Sequence, residues 1–513
     1  MRRRVFLQGG VGLLAAGLSG TARAQEVTVN SGHLDRLKDL FCVGKPKLRR
    51  NIYSLLSGDP NHPIVQAYQQ GVSVMKTRAA DDPTSWTYQA NIHGVNMVTM
   101  PPATWPAGAP FATCEHRTIF FLSWHRVYVY FFERIVWAAS GNPDFALPYW
   151  DYGVAGQSAL PPPFRDAASP LFDGTRAGSV NAGNPLPPSA VTAANALSRL
   201  TFLGGGQFQS TLEGTPHDAV HVSIGGNMGN FPGAGRDPIF WLHHCNIDRL
   251  WEKWLSQGGG RVNPTGDATW MDIEYTFVDE NKNFVRMSAS DVLYTISQLK
   301  YQYEDPRTCV PLSDVLASLR ADPTSGARSR VLASFVLARN VELTPDQMRL
   351  DLRPEDSDTR DRLAKALSVD MFLRTVESGG RYVLVFEGVQ TEAPLDGFYE
   401  VYLGLPRDSK PDFNSPYYVG NLTTFGADAE SRRSMSGAQQ SRHAGHGDFG
   451  IQVNLNVTDA LKRLVERSDV GRDELSVTLV PVGMGKSPND RFTFDAKASA
   501  RIESILLTIE KDK

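Results

Sequence analysis

Asp237-Pro238-Ile239-Phe240-Trp241-Leu242-His243-His244-Cys245-Asn246-Ile247-Asp248-Arg249-Leu250-Trp251-Glu252-Lys253-Trp254 is the stretch on which the reading of this chain turns. Asp237 is a good helix N-cap, Pro238 suits a first helical turn, and Phe240, Ile247, Leu250, Trp251 and Trp254 recur at helical spacing. The pattern predicts a helix with one buried face. His244 lies between Phe240 and Ile247, so its imidazole is expected to point where those apolar side chains point. A histidine aimed into a dry core is either hydrogen-bonded or bound to something.

Working outward, His217-Asp218-Ala219-Val220-His221 is an H-x3-H pattern, which on a helix sets two imidazoles one turn apart on the same side, within reach of one metal ion. Farther upstream, His116 and His125 flank the apolar run Phe120-Phe121-Leu122. The segment continues as Arg126-Val127-Tyr128-Val129-Tyr130-Phe131-Phe132-Glu133-Arg134-Ile135-Val136-Trp137, apolar almost all round. Its charges and histidine favour a buried core helix over a membrane span.

The chain has 513 residues and a net charge of -3, with 41% hydrophobic and 21% charged residues. The length suits two or three domains, and the balance gives no electrostatic argument for nucleic acid or an anionic membrane. Residues 1–24 read as a signal peptide. Arg2-Arg3-Arg4 precedes the weakly apolar run Val11 to Leu18, and Ala22-Arg23-Ala24 is an A-x-A cleavage site. The arginines favour a twin-arginine signal over a plain Sec signal. An exported protein, periplasmic or secreted, with no membrane span after signal removal is the expectation. Cys42, Cys114, Cys245 and Cys309 are too scattered to form a disulfide framework, and their pairing is not readable from sequence.

Residues 34–82 read as helices, with Leu37, Leu40, Phe41, Val65, Tyr68, Val72 and Met75 on apolar faces. Ser85 to His93 delivers a further histidine. Residues 153–199, rich in Pro, Ala, Gly and Ser, read as surface loops. Ile224 to Gly233 is a glycine-rich turn without the strand and helix context of a phosphate loop. From Val331 onward the pattern is strand-like, as in Arg381 to Phe386, Phe398 to Leu403, Ile451 to Val457 and Leu475 to Val480. Residues 427–449 are polar and charged, and read as a mobile or cleavable loop.

Of the 11 histidines, His93, His116, His125, His217, His221 and His244 lie in helical or apolar contexts, whereas His33, His62, His443 and His446 have polar surroundings. One such histidine would be an ordinary core residue. Six together would leave many buried nitrogens to satisfy unless they hold metal. All-imidazole ligation suits zinc, copper, iron or nickel, with copper(II) heading the stability order, and six ligands suffice for two ions of three each. Asp218 after His217 excludes an H-E-x-x-H zinc hydrolase.

The stretch from His116 to Arg126, with Glu133, resembles the first copper-binding signature of tyrosinases and polyphenol oxidases. Asp237-Pro238-Ile239-Phe240, followed by His244 and Asp248, resembles their second. The resemblance spans roughly residues 34–303, where Tyr301-Gln302-Tyr303 resembles the tyrosine motif that closes the catalytic domain. It continues more weakly into the C-terminal third, which resembles the C-terminal domain of plant polyphenol oxidases. The implied architecture is a mainly α catalytic domain at 25–303, a four-helix bundle holding a dicopper site, then a linker at 304–330 and a β-rich, sandwich-like domain at 331–513 that shields the active site.

The resemblance further implies a type 3 pair of copper ions, one on His93, His116 and His125, the other on His217, His221 and His244. By sequence alone His243 could replace His244, but the family spacing from Asp237 favours His244. Cys114 sits in a C-x-H arrangement that in the family forms a thioether to a ligand histidine; a free thiol or a disulfide is the alternative. Glu213 matches the carboxylate that positions a water to deprotonate phenol. Asp218 departs from the Asn of strong monophenolases and the Gly of several catechol oxidases, and Phe231 matches the aromatic that stacks on a phenolic ring. Asp248 is expected either to orient His244 or to pair with Arg249 or Arg126. The implied activity is oxidation of mono- or o-diphenols to o-quinones by dioxygen, with a copper chaperone as a possible partner. A catechol oxidase without hydroxylase activity and a hemocyanin-like oxygen carrier are the competing readings.

Overall fold

The structure, a computed structural model, describes residues 46–306, 329–354, 356–434, 450–466, 475–484 and 499–512. The signal peptide, Cys42, Cys309, most of the linker, His33, His443 and His446 therefore lie outside the described residues. The helices that matter for the site are α1 (Pro63–Thr77), α2 (Trp86–His93), α3 (Phe121–Ser140), α4 (Ala219–Ile224) and α5 (Pro238–Ser256).

Helix α5 begins where its sequence predicts. The Asp237 carboxylate accepts from the Ile239 N–H at 3.0 Å and is gripped by Arg176 through two bonds of 2.7 and 2.6 Å, so the cap is itself held by a buried guanidinium. Helix α3 ends at Gly141, whose φ of 66° is the left-handed conformation that a C-terminal glycine supplies. Helices α1 and α3 approach closely at Gly71, where a Cβ would lie 2.7 Å from Val136 Cγ1. Trp124, Trp150, Trp241, Trp251, Trp254 and Trp270 are fully buried among these helices and give the core its bulk.

A buried polar network closes this half of the molecule from below. Strand β1 (Lys47–Arg49) pairs in parallel with a strand at Tyr301–Tyr303, on the far side of the hairpin β2 (Glu274–Val278) and β3 (Phe284–Ser288); the paired strand is β4. Arg49, fully buried, donates to Glu133 of α3 at 2.8 Å and to Asp248 of α5 at 3.4 Å. Asp248 also accepts from Arg126 at 2.5 Å and from the hydroxyls of Tyr301 and Tyr303, each at 2.5 Å. The tyrosine motif is thus a clamp on the carboxylate of α5. Glu304 and Asp305 still pack on this half, through Arg50 and Arg249.

Two stretches differ from the sequence reading. Residues 47–49 form a strand within the segment expected to be helical, because Arg49 must reach into the core to meet Glu133 and Asp248. Residues 153–199 are not merely surface loops. Leu160, Phe164, Leu171, Val180, Leu186 and Ala190 are buried; Val180 lies on a short helix at Gly178–Asn181 and Ala190 on one at Pro188–Val191, while the rest come from turns and irregular segments. Their spacing follows no helical or strand period, so periodicity could not reveal them.

Beyond the linker, strands β5 (Ser329–Leu343), β6 (Met348–Asp351), β7 (Gly380–Thr391), β8 (Gly397–Leu403), β9 (Tyr418–Leu422), β10 (Ile451–Asn456), β11 (Ser476–Gly483) and β12 (Ala500–Asp512) form two antiparallel four-stranded sheets. Their orders are β10-β7-β12-β5 and β6-β11-β8-β9. Leu384, Phe386, Ile505 and Leu507 of one sheet share a core with Val401, Leu403, Val477 and Leu479 of the other, the sandwich arrangement the strand pattern implied. Phe398 and Phe425 depart from this core and are buried with the helical half instead.

Candidate metal centre

Each expected ligand histidine is delivered by a different local device. His93 is the last residue of α2, and His125 sits in the first turns of α3. His116 precedes α3 in an irregular turn in which Arg117 has a φ of 56°. His217 lies near the end of a π-helical stretch at Glu213–Asp218, broken at Thr215, and His221 follows on α4, so the H-x3-H pair straddles a change of helix type. Their rings still lie 4.6 Å apart. His243 and His244 are on α5.

All seven rings are buried. The candidate ligand atoms include two four-residue groups, His93, Cys114, His116 and His125 in one and His217, His221, His243 and His244 in the other, and a third of His116, His217 and Asp218 that joins them, the atoms of each lying within 4.8 Å of one another. Burial holds every one of these imidazoles neutral. It pushes His125 and His221 down to about 3, and His93, His116, His217, His243 and His244 well below their ordinary value. Neutral imidazole is the form that binds metal.

Hydrogen bonds fix which nitrogen carries the proton. Nδ1 of His93 donates to the Phe231 carbonyl at 3.2 Å, Nδ1 of His125 to the Phe121 carbonyl at 2.7 Å, and Nδ1 of His221 to the Met228 carbonyl at 2.7 Å. Nδ1 of His116 faces Glu213 at 3.2 Å, and Nδ1 of His217 faces Asp218 at 2.8 Å. The Nε2 lone pairs are therefore left to point inward. Those of His93 and His116 confront each other across 3.3 Å, and Nε2 of His221 lies 3.4 Å from that of His244. Nε2 of His217, Nδ1 of His244 and both nitrogens of His243 find no hydrogen-bond partner among the described residues. Facing lone pairs repel and an orphaned buried nitrogen is costly; a cation in each group removes the repulsion and gives Nε2 of His217 a partner. The donor set fits two copper ions on chemical grounds.

Of the other expected residues, Phe231 places its ring 5.0 Å from those of His93 and His116. Cys114 is a free, buried thiol whose Sγ lies 3.4 Å from Nε2 of His125, a nearer relation than the C-x-H spacing to His116 suggested. Asp248 does not touch His244. Its partners are the two arginines and two tyrosines of the clamp, so the ion-pair alternative with Arg126 is the one the structure bears out.

Glu213 and Asp218 are two buried carboxylates beside the histidines. Burial pushes Glu213 up to about 8 and Asp218 up to about 6, against the lowering charge of Arg117. The Arg117 N–H donates to Glu213 at 2.6 Å, and its guanidinium donates to Asp218.

Sequence reasoning missed two residues here, both from the C-terminal domain. Thr423 donates to Asp218 at 2.9 Å. Phe425 lies over the histidines, stacked on His221 at 4.3 Å and 5.7 and 5.9 Å from His116 and His217. No local signal marks Phe425 in its strand-rich context. Around it, Asn421 donates to the Ser189 carbonyl at 2.9 Å and Asn96 to Glu430 at 2.5 Å, so the segment 421–434 is docked on the helical half. The polar stretch expected to be a mobile loop instead begins with a helix, Ala429–Ser434; residues 435–449 lie outside the described residues.

Comparison with known proteins agrees with this geometry. The chain matches the model of the common central domain of tyrosinase over residues 83–205 and 188–257, the polyphenol oxidase middle domain over 265–309, and a domain of unknown function over 336–490. It is 31% identical over 480 residues to a tyrosinase of Hahella sp. (strain CCB-MM4), covering 85% of this chain and 95% of the relative. It is 33% identical to polyphenol oxidase A1 of Vicia faba, covering 82% and 72%. Latent apple tyrosinase shares the fold, with a TM-score of 0.57 at 22% identity over 91% of this chain and 97% of that one. Among the described residues no helix is long and apolar enough to cross a membrane. The chain belongs to the tyrosinase and polyphenol oxidase family and is a dicopper oxidoreductase that uses dioxygen to oxidise phenols to o-quinones.

Proposed function

We propose that His93, His116 and His125 hold one copper ion and His217, His221 and His244 the other, in a chain whose C-terminal domain keeps the site closed. The observation that carries this reading is the pair of facing Nε2 atoms, 3.3 and 3.4 Å apart, with the opposite nitrogens of His93, His116 and His221 committed to fixed partners. His244 is preferred to His243 because its ring lies between the two trios, stacked on His125 at 4.4 Å with an interplanar angle of 6°. Copper ions held by these residues would supply the electrons for dioxygen reduction and Lewis acidity toward a phenol.

The chain's own groups do the rest. Phe231, beside His93 and His116, offers a face against which a phenol ring can stack. Glu213 faces Nδ1 of His116, and its carboxylate would accept the phenol proton through a water. Asp218 fixes the tautomer of His217. Phe425, of the size and shape of a substrate ring, occupies the space above His221 and His217, so the intact chain is latent and opens when the docked segment 421–434 is displaced. Cys114 remains available for a thioether within the first trio. The N-terminal residues 1–24 direct export by the twin-arginine route, which carries folded protein and so permits copper insertion, with or without a chaperone, beforehand.

The test is elemental analysis of copper-loaded protein, with tyrosine and catechol assays before and after limited proteolysis. Two copper ions per chain and phenol turnover that rises on proteolysis are expected. One ion per chain would overturn the ligand assignment, and two ions without turnover of any phenol in either form would favour an oxygen carrier. Catechol turnover without tyrosine hydroxylation would place the protein among catechol oxidases.

A further inference from the structure

We infer that Arg117 sets the substrate preference, as the docking point for the carboxylate of phenols and catechols that carry one on a short side arm. The inference deepens the phenol oxidation proposed above and rests on that reading and on the displacement of the docked segment. Arg117 directly follows His116, and its φ of 56° is a left-handed conformation that is strained for a residue other than glycine. Its backbone N–H donates to Glu213 at 2.6 Å, and its guanidinium donates to Asp218 and lies 3.4 Å from Thr423 Oγ1.

The fully buried arginines of this half use their guanidinium groups differently. Arg126 and Arg176 have side chains that are 0% exposed, and each is bonded through Nε, Nη1 and Nη2 alike. They are clamps. Arg117 keeps 12% of its side chain exposed even with the C-terminal segment docked, and both of its side-chain hydrogen bonds to described residues leave from Nη2. Nη2 has two hydrogens, so Asp218 and Thr423 take one each, and Nε and Nη1 keep theirs for another acceptor. When Thr423 leaves, the Nη2 hydrogen it held is freed next to an unbonded Nε–H or Nη1–H. Either pairing is the planar fork that grips a carboxylate through two parallel bonds.

The docked segment marks out the shape of what belongs there. Phe425 places a ring over His221, and Thr423, two residues earlier and so within about 7 Å along the chain, places a hydroxyl oxygen against Arg117 and Asp218. A ring over the histidines and an oxygen at Arg117 are the two ends of a phenol whose side arm finishes in a carboxylate. An arm that ends in an amide offers the guanidinium an uncharged, weaker acceptor. One that ends in an ammonium meets a like charge.

The test uses the copper-loaded chain opened by limited proteolysis, with three catechols that share ring and arm and differ in how the arm ends: dihydrocaffeate, its primary amide and the corresponding propylamine. In the wild type kcat/KM should fall about tenfold from acid to amide and further to the amine, with the difference carried by KM. Arg117→Gln should bring the ratio of acid to amide close to one, a comparison in which any loss common to both substrates cancels. Arg117→Lys should retain part of the ratio. A second readout needs neither turnover nor metal: in calorimetric titration of the opened, copper-free chain, phenylpropionate should bind more tightly than its amide, and Arg117→Gln should abolish the difference. Equal handling of acid and amide by the wild type, or a preference for the acid that survives Arg117→Gln, would overturn the proposal. Copper content, and turnover of the neutral amide before and after proteolysis, decide the underlying reading separately.

Discussion

Removing one ring should unlock the intact chain. Phe425 is 3% exposed and touches the rings of His221, His116, His217 and Phe231, although it belongs to the C-terminal domain. Burying a phenylalanine side chain contributes about 1.5–3 kcal/mol. Its closest ring partner, His221 at 4.3 Å and 23°, adds about 0.5–1.5 kcal/mol. A loss of about 3 kcal/mol from the closed arrangement corresponds to a shift of roughly 100-fold toward the open one. Phe425→Ala should therefore raise the catechol oxidation rate of uncut protein by about that factor, up to the ceiling set by the proteolysed enzyme, and leave the proteolysed enzyme itself unchanged. Initial rates of both forms, with circular dichroism to check folding, measure this. A folded Phe425→Ala chain as inactive as the wild type before cutting would refute the idea that this ring closes the site. An equal gain before and after cutting would mean that the ring acts on chemistry and not on access.

Three further outcomes are expected. Glu213→Gln, which keeps an acceptor for His116 but removes the base, should slow tyrosine hydroxylation by roughly 10²–10⁴-fold with copper content unchanged, while catechol oxidation falls less; equal loss of both would assign Glu213 to orientation alone. His244→Gln should release one of the two metals on elemental analysis, whereas His243→Gln should retain both, and the reverse result would exchange their roles. Asp248→Asn breaks the clamp among Arg49, Arg126, Tyr301 and Tyr303 and should cost about 3–5 kcal/mol in urea unfolding near neutral pH. Burial opposes ionisation of Asp248, but the charges of Arg126 and Arg49 and the two tyrosine hydroxyls outweigh it and hold its carboxyl below the ordinary value. A folded-state value below the unfolded one stabilises above the ordinary carboxylate range and is lost as pH falls through the folded value, so the gap between wild type and variant should close below about pH 4.

What was legible in the sequence is what short-range periodicity encodes. Asp237 and Pro238 announce a helix start, and the apolar residues around His244 and His125 announce that their rings are buried, because both signals lie within a few turns of one helix. Strand β7 was legible as a pattern in Arg381 to Phe386, whereas its pairing with β12 was not. Asp248 shows the limit: four residues after His244, it looks like that residue's partner, yet its actual partners come from Arg49 and Tyr303, far away along the chain. His217 shows another, since the helical reading of H-x3-H holds for the ring positions and fails for the backbone, which is π-helical and broken at Thr215. Phe425 was beyond reach. Nothing in Thr423-Thr424-Phe425-Gly426 distinguishes a core phenylalanine of a sandwich from one that leaves its own domain to cover another's histidines.

The placement of the two buried carboxylates ties closure to chemistry. Glu213 and Asp218 bound the same π-helical stretch, and each faces Nδ1 of a different trio, Glu213 that of His116 and Asp218 that of His217. Arg117 bridges them, through its backbone N–H to Glu213 and its guanidinium to Asp218. The same guanidinium lies 3.4 Å from Thr423 Oγ1, which itself donates to Asp218. Were the segment 421–434 to leave, as proposed, Asp218 would lose a donor and Arg117 a neighbour, so the surroundings of His116 and His217 would change together with the removal of Phe425. A design that only blocked access would need the ring alone. Because Thr423 sits two residues before Phe425 on the same docked segment, the proposed opening of the site and a change in the surroundings of Asp218 and Arg117 would be one movement.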